Sequence, residues 1–432
     1  MKAYLLLISF SIFFFTSRCQ SEKSSENLSI IDLEANISNM RKTYLSEFNV
    51  NISYVPLESN KDYNFVSIMY MNISDKYILI SDGRSCFLYD SNGRFIREIG
   101  KQGRGPGEYT LINYISMINE RIYIHDIQQS DLIEYNINGT FEKRNKSGFT
   151  AKEKYQLDNA IIINDSMILG NIENRTGNEE YKALIIDKQG IVKYYFKNYI
   201  LFNLANGNKS VRVPGRAIFY RFEDKVYFKE FLNDTLFQMD DKYQFTPAYV
   251  FNFGRYKHPL SDRGKNWNQV DLSSYINLID IFPIENFLFL KYDFNKYFPA
   301  KRLNPRILKT PGGEDYIQWY NLTGQGILGI YDKKQGYLFF SEPTSTNNHL
   351  FTSGLYNDID AGPRFIPDKM INDSTMVMNI RFEYLIEHIE SNDFIDYIPK
   401  YPDRKEKLRN LVDSLKLTGF DNPVLMFVTF NQ

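Results

Sequence analysis

The stretch DKYILISDGRSCFLYDSNGRFIREIG, Asp75 to Gly100, decides how this chain is read. It runs from an apolar strand through an Asp-led turn to a second apolar strand ending at Tyr89, then an Asn-Gly turn and a third strand. Asn92 and Gly93 both tolerate positive φ, which a tight turn between twisted strands requires, and Asp90 ahead of them is placed to bond the turn backbone. The pattern returns in NERIYIHDIQQSDLIEYNINGTFEKRN, Asn119 to Asn145, where Asp126 matches Asp82 and Gly139 matches Gly93. Looser copies span Asp165 to Phe196, with Gly190 in the turn, and Glu223 to Phe251. Two last pieces, Glu285 to Phe298 and Gly324 to Phe340, are counted as the fifth and sixth units. Units of roughly 40 to 50 residues match the four-stranded blades of a β-propeller. The expected fold is all-β, a six-bladed β-propeller.

A propeller has to close, and strands from opposite chain ends commonly share a blade. Asn51 to Leu57 and Pro423 to Phe430 are both strand-like and are expected in one blade. Helical spacing predicts one or two helices before the closing strand. The first covers Asp403 to Leu417 after Pro402, with Leu408, Leu411, Val412 and Leu415 on one face. The second covers Val377 to Glu390, with Met378, Phe382, Leu385 and Ile389 aligned.

The composition fits a single large β unit. Hydrophobic residues make up 43% of the 432 residues, and aromatics, at 16%, favour strands. Net charge is −1, so no basic excess points to nucleic acid. The two cysteines do not make a disulfide framework, and the four histidines lie too far apart for a short metal-ligand motif. No metal and no cofactor are expected.

The N-terminus is an address. Lys2 precedes an apolar run from Ala3 to Phe15, about 20 Å of helix at 1.5 Å per residue. That is too short for a bilayer core of about 30 Å. It suits the hydrophobic region of a secretory signal. Cys19 follows in TSRC, as in a bacterial lipoprotein signal, although Arg18 and Thr16 depart from that pattern. The expected organisation is a signal peptide over 1–18, a lipidated tether over 19–29 and the propeller over 30–432. The expected location is the outer membrane or its periplasmic face, with the cell surface as a further destination.

Ile99-Gly-Lys-Gln-Gly-Arg-Gly-Pro-Gly-Glu-Tyr109 resembles the IGxxGxGPGEY signature of six-bladed β-propeller lipoproteins of Bacteroidetes. Tyr54-Val-Pro-Leu-Glu58, Asn233 to Phe237 with Phe253-Gly254, Asn357-Asp-Ile-Asp360 with Gly362-Pro363, and Asp421-Asn-Pro-Val424 add to the resemblance. Phe365-Ile-Pro367 departs from it, because an aromatic is expected directly before the proline. The likeness runs from about Ile30 to the C-terminus and extends distantly to NHL-type propellers. It implies the fold and an envelope location, but no reaction.

Candidate site residues follow from chemistry. Gly103, Gly105 and Gly107 with Arg104 form either an anion-binding loop or a blade-to-blade turn stiffened by Pro106 and anchored by Glu108 and Tyr109; the turn is preferred. Trp267 and Trp319 offer stacking platforms for a sugar or peptide, and His258 could add polar contacts near Trp267. His125 is a candidate general base only in an enzyme. No G-x-S-x-G or H-E-x-x-H motif is present. The sequence therefore favours a non-catalytic module that binds a glycan, peptide or envelope protein over its central channel and meets the membrane only through its lipid. The alternative is a propeller lyase or hydrolase using His and Arg or a bound cation at the axis.

Overall fold

The structure, a computed structural model, describes residues 28–431 except 60–67, 147–148, 152–154, 206, 213–214, 267–269, 272–273, 295–305, 310–314, 319–325 and 344–352. Six antiparallel four-strand meanders follow one another around a ring. Blade 1 comprises Tyr70–Ile73, Tyr77–Ser81, Cys86–Asp90 and Phe95–Glu98. Blade 2 comprises Ile112–Ile118, Arg121–Asp126, Asp131–Asn136 and Phe141–Asn145. Blade 3 comprises Asn159–Asn164, Met167–Asn171, Tyr181–Asp187 and Val192–Lys197, and blade 4 comprises Ile218–Phe222, Lys225–Lys229, Thr235–Met239 and Phe245–Asn252. Blade 5 comprises Asn277–Pro283, Phe287–Asp293, Ile327–Asp332 and Tyr337–Ser341, and blade 6 comprises Lys369–Asn372, Thr375–Ile380, Val424–Phe430 and Val50–Pro56.

The middle strands read as continuous apolar runs because each blade is covered on both faces. In blade 1, Leu79 and Leu88 pack with Ile115, Ile122 and Ile124 of blade 2. Their neighbours Ile78, Ile80 and Tyr89 pack on the other side with Val377 and Leu425 of blade 6. The same exchange links each remaining pair, ending with Phe289 and Leu328 of blade 5 against Met376 and Val428 of blade 6. First strands surround the axis and are stitched by side chains. Asn72 accepts from Met117 N at 3.1 Å, and Arg221 donates to Ile163 O at 2.7 Å.

Closure occurs where it was expected. Val50–Pro56 pairs antiparallel with Val424–Phe430 over seven residues. Three of the fragments that carry the family resemblance, 54–58, 357–363 and 421–424, meet here. Glu58 N donates to Gly93 O at 2.8 Å, and Glu58 Oε2 accepts from Phe95 N at 2.8 Å. Asn422 donates to Glu58 O, and Tyr54 OH donates to the buried Asp360 at 3.1 Å. The turn glycines Gly93, Gly139 and Gly190 all have positive φ, and Asp90 accepts from Asn92 N and Arg94 N. A Cβ on Gly93 would stand 2.1 Å from Pro56 O. Gly93→Ala is therefore expected to lower stability by about 1–3 kcal/mol through both the clash and the backbone conformation, read as a fall in thermal midpoint.

Two sequence expectations need correction. Glu285 to Phe298 and Gly324 to Phe340 are not two blades: they supply the second strand and the last two strands of blade 5, separated by an insertion with a short hairpin, Arg306–Lys309 with Asp315–Gln318. The sixth blade is assembled from the chain ends. The helix expected over Val377 to Glu390 is Phe382–Ile389 only, because Met376 and Val377 are fully buried in the strand Thr375–Ile380. The longer helix, Pro402–Leu417, matches the expectation. Both helices sit between the second and third strands of blade 6.

Two further segments brace the rim. Ser29–Asp32 adds in parallel to the outer strand of blade 4, and Met40–Arg41 adds in parallel to that of blade 5.

Candidate ligand cavity between blades 3 and 4

In an antiparallel meander, the links between second and third strands emerge on the same face as the links between blades. The long connections therefore leave the strands on one face. Between blades 3 and 4, residues 171–174, 198–202, 211–212, 215–217, 230–233, 258–265 and 270 line a cavity of about 80 Å³. This suits a small group, such as one side chain or the edge of one sugar, rather than a large ligand body. The cavity lies off the axis.

The connections are tied to one another. Ala205 N and Asn208 Nδ2 both donate to Gly264 O, at 2.8 and 3.1 Å, and Asn266 donates to Asn208 at 2.7 Å. Gly264 has to be glycine, since a Cβ there would lie 2.0 Å from Asn203 O. Ile172, Phe202, Val211 and Phe231 make apolar walls. The short helix Leu260–Arg263 brings Arg263 to the cavity.

Two polar atoms here are sealed from solvent without a hydrogen-bond partner, His258 Nε2 and Arg263 Nε. Arg263 is anchored through Nη2 to Leu232 O. His258 lies on the ring of Tyr275, with centroids 3.9 Å apart, and Tyr275 bonds Asp262, which pairs with Lys265 at 2.7 Å. Burial, aided by the charge of Arg263 and opposed by Asp262 and a side-chain hydrogen bond with Asn277, lowers the His258 pKa to about 4, so the ring is neutral at pH 7. Glu230 accepts from Asn233 at 3.0 Å, and burial raises its pKa against the pull of Lys182 and Arg263. Behind it, burial lowers fully enclosed Lys229 to about 8. The arrangement sets a cationic and a neutral side chain beside an apolar wall, which suits a ligand with acceptor oxygens on an apolar body.

Of the residues nominated from sequence, His258 lines this cavity. Arg104 is exposed on the connection between blades 1 and 2. Trp267, Trp319 and Cys19 lie outside the described residues. In the Gly103 to Tyr109 segment, Glu108 Oε2 accepts from Gly105 N at 2.8 Å, and Gly103 N donates to Tyr109 O at 2.8 Å. The loop's own carboxylate and carbonyl thus take these amides. Tyr109 OH donates to Ile99 O and accepts from Cys86 N, and Tyr135 OH donates to Gly107 O. Sequence reasoning passed over Glu230, Phe231 and Arg263. The only hint was a charged Lys-Glu pair ending the apolar strand at Phe228.

His125 is buried in its strand, stacked 4.1 Å from Phe149, with Nδ1 2.5 Å from Asn113 Oδ1. Burial lowers its pKa to about 4, against a smaller opposing pull from Asp126. The unfolded chain, with an ordinary histidine near 6.5, binds the proton more readily. Stability from this residue is complete above about pH 6.5 and is lost as pH falls towards 4, by about 3 kcal/mol. His125→Gln is expected to flatten that part of a stability-against-pH curve from chemical denaturation. Among the described residues, no group of three or more His, Cys, Asp or Glu side chains converges as for a metal.

Fold and cavity together define a six-bladed β-propeller with a small recess between two blades on its long-loop face. The chain belongs to the family described as a domain of unknown function, DUF4934, whose model matches residues 28–429. No curated protein sequence matches it. Among solved structures it is similar to a candidate exported protein of Bacteroides fragilis, at TM-score 0.61 and 16% identity over 94% of this chain and 99% of that one. It is also similar to a member of the DUF4221 family from Bacteroides vulgatus, at TM-score 0.42 and 14% identity over 67% and 94% of the two chains. Virginiamycin B lyase from Staphylococcus aureus scores 0.32 at 12% identity, over 69% and 90%. At these identities the first likeness speaks for the fold alone. No helix among the described residues is long and apolar enough to cross a membrane.

Proposed function

We propose that this chain is an exported, lipid-tethered binding propeller of the cell envelope, anchored through Cys19 to the outer membrane or its periplasmic face. It takes the end of a glycan or peptide into the cavity between blades 3 and 4 rather than over the axis. The observation that carries the reading is the pair of sealed, unpartnered nitrogens, His258 Nε2 and Arg263 Nε, beside an apolar wall. Buried polar atoms are normally satisfied, so two orphans on side chains that line one recess favour a ligand whose entry turns those side chains to complete them. Glycan and peptide arrays probed with the chain from residue 20 test it. Arg263→Gln is expected to weaken the ligands found by at least about tenfold, the loss of one charged hydrogen bond, with an unchanged circular dichroism spectrum. Ligands bound equally well by the variant, or no ligand on either array, would count against the reading. Conversion of a bound ligand would instead favour the lyase or hydrolase alternative.

A further inference from the structure

The outer strands of the blades are treated differently. Those of blades 4 and 5 are covered by the N-terminal segments Ser29–Asp32 and Met40–Arg41. That of blade 2 is bare but polar, with Glu142 and Lys143 exposed. That of blade 3, Val192–Lys197, is the last strand of its four-stranded sheet and carries Tyr194 and Tyr195 on its two faces, 38% and 43% exposed, the first against Tyr243 of blade 4 and the second against Tyr181 of its own blade. Ile191 before it and Tyr199 and Leu201 after it are exposed as well, Tyr199 to 80%. An uncovered strand edge lined with large rings is a liability that soluble proteins usually blunt with charge or cover.

The tether leads to this edge. Ser29–Asp32 runs parallel to Phe245–Asn252, with Ser29 opposite Tyr249 and Asp32 opposite Asn252. Followed backwards from Ser29, the chain therefore heads towards the Phe245 end of blade 4. At that end Phe245 packs on Phe196 at 4.2 Å between centroids, and Tyr243 packs on Tyr194 at 4.8 Å. Leu28 and Ile30 are exposed on the way. From Cys19 to Ser29 the chain reaches at most about 35 Å when fully extended. A lipid on Cys19 thus keeps this rim within about 35 Å of the bilayer. Tyrosine is well suited to the membrane–water boundary, with an apolar ring and a wet hydroxyl, and lysines such as Lys193 and Lys197 can lay their stems along it.

We propose that the outer edge of blade 3, with the tether strand beside it, is a membrane-contacting surface that seats the propeller edge-on against lipid headgroups. The membrane then meets more than the lipid anchor. Edge-on seating lays the ring axis parallel to the bilayer and leaves both faces, including the one with the cavity, open to the envelope space. The proposal rests on the reading of Cys19 as the anchor point.

The mature chain, 19–432, coupled through Cys19 to a maleimide lipid in vesicles of phosphatidylethanolamine and phosphatidylglycerol, tests the surface; Cys86 is buried. Hydrogen exchange over 191–201 is expected to slow by at least about fivefold on the vesicles, with 141–145 unchanged. Tyr194→Glu with Tyr195→Glu is expected to abolish the slowing while the chain still floats with the vesicles. Equal exchange on and off vesicles, with the chain attached, overturns the proposal. Slowing without vesicles that grows with protein concentration also overturns it, because a second copy would then cover the edge. The mass of the chain isolated from its own envelope reads the anchor separately: an unmodified Cys19 there sinks the tether reading, whatever the vesicles show.

Discussion

Arg144→Ala is expected to destabilise the folded chain by about 3–5 kcal/mol, the range seen when one partner of a buried ion pair is removed. Arg144 belongs to the outer strand of blade 2, and its guanidinium is nearly enclosed. It pairs with Asp131 at 2.6 Å and donates to Pro106 O and Gly105 O, both at 3.0 Å, and to Glu108 O. One planar fork therefore satisfies a buried carboxylate and three carbonyls of the Gly103 to Tyr109 connection. Alanine leaves all four without that donor. Arg144→Lys restores the charge opposite Asp131 but not the fork, so it is expected to recover less than half of the loss. Urea denaturation measures both. If Arg144→Ala cost under about 1 kcal/mol, the connection would not depend on this tie.

Val428→Asp is expected to have a still larger effect, on the order of 5 kcal/mol or more. Val428 is fully buried in the closing strand, opposite Ile52 on one side and Met376 on the other, at the interface with blade 5. An aspartate there loses the apolar contacts and must either ionise in a dry site or hold an unpaired proton. The strand is also the clasp between the chain ends, so the ring opens as a unit. Against a typical stability of about 5–15 kcal/mol, much of the protein is expected to be unfolded at 37 °C, visible as lost β signal in circular dichroism and rapid proteolysis. Val428→Ile, which keeps the shape and apolarity, is expected to stay folded. A folded aspartate variant would mean that the pairing of 50–56 with 424–430 does not hold the ring.

These two sites also show what could be read from the sequence. The first two repeats were legible because their turns need Gly93 and Gly139 at positive φ and their Asp-led turns recur in register. Blade 5 was misread because an insertion parts its second and third strands, so one blade looked like two. Blade 6 had no local repeat at all. Its first two strands, its third and its fourth lie in three separated stretches of chain, and only the strand character of both ends pointed to the clasp. The helix at Phe382 was extended too far because Met378 falls at helical spacing by coincidence while serving in a strand.

The site was less legible, for a different reason. Its residues come from four connections on two blades, and each is of a type common on any surface. Glu230 follows the last residue of a strand, and Arg263 ends a one-turn helix. The ties of Ala205 and Asn208 to Gly264, and of Asn266 to Asn208, bring two distant connections together around these side chains. His258 stands out in the sequence through its nearness to Trp267, not because the sequence shows a cavity. The Gly103 to Tyr109 run stood out more strongly than anything in the recess. Its prominence comes from the tight ties it makes to Arg144, Tyr135 and the backbone of blade 1.

The most direct test of the account is a crystal structure of the chain bound to a ligand selected on the glycan and peptide arrays. The account predicts ligand density between Phe231, His258 and Arg263, with an acceptor oxygen within hydrogen-bond reach of Arg263 Nε. Density over the axis, among the first strands of the six blades, with the recess between blades 3 and 4 empty, would contradict it.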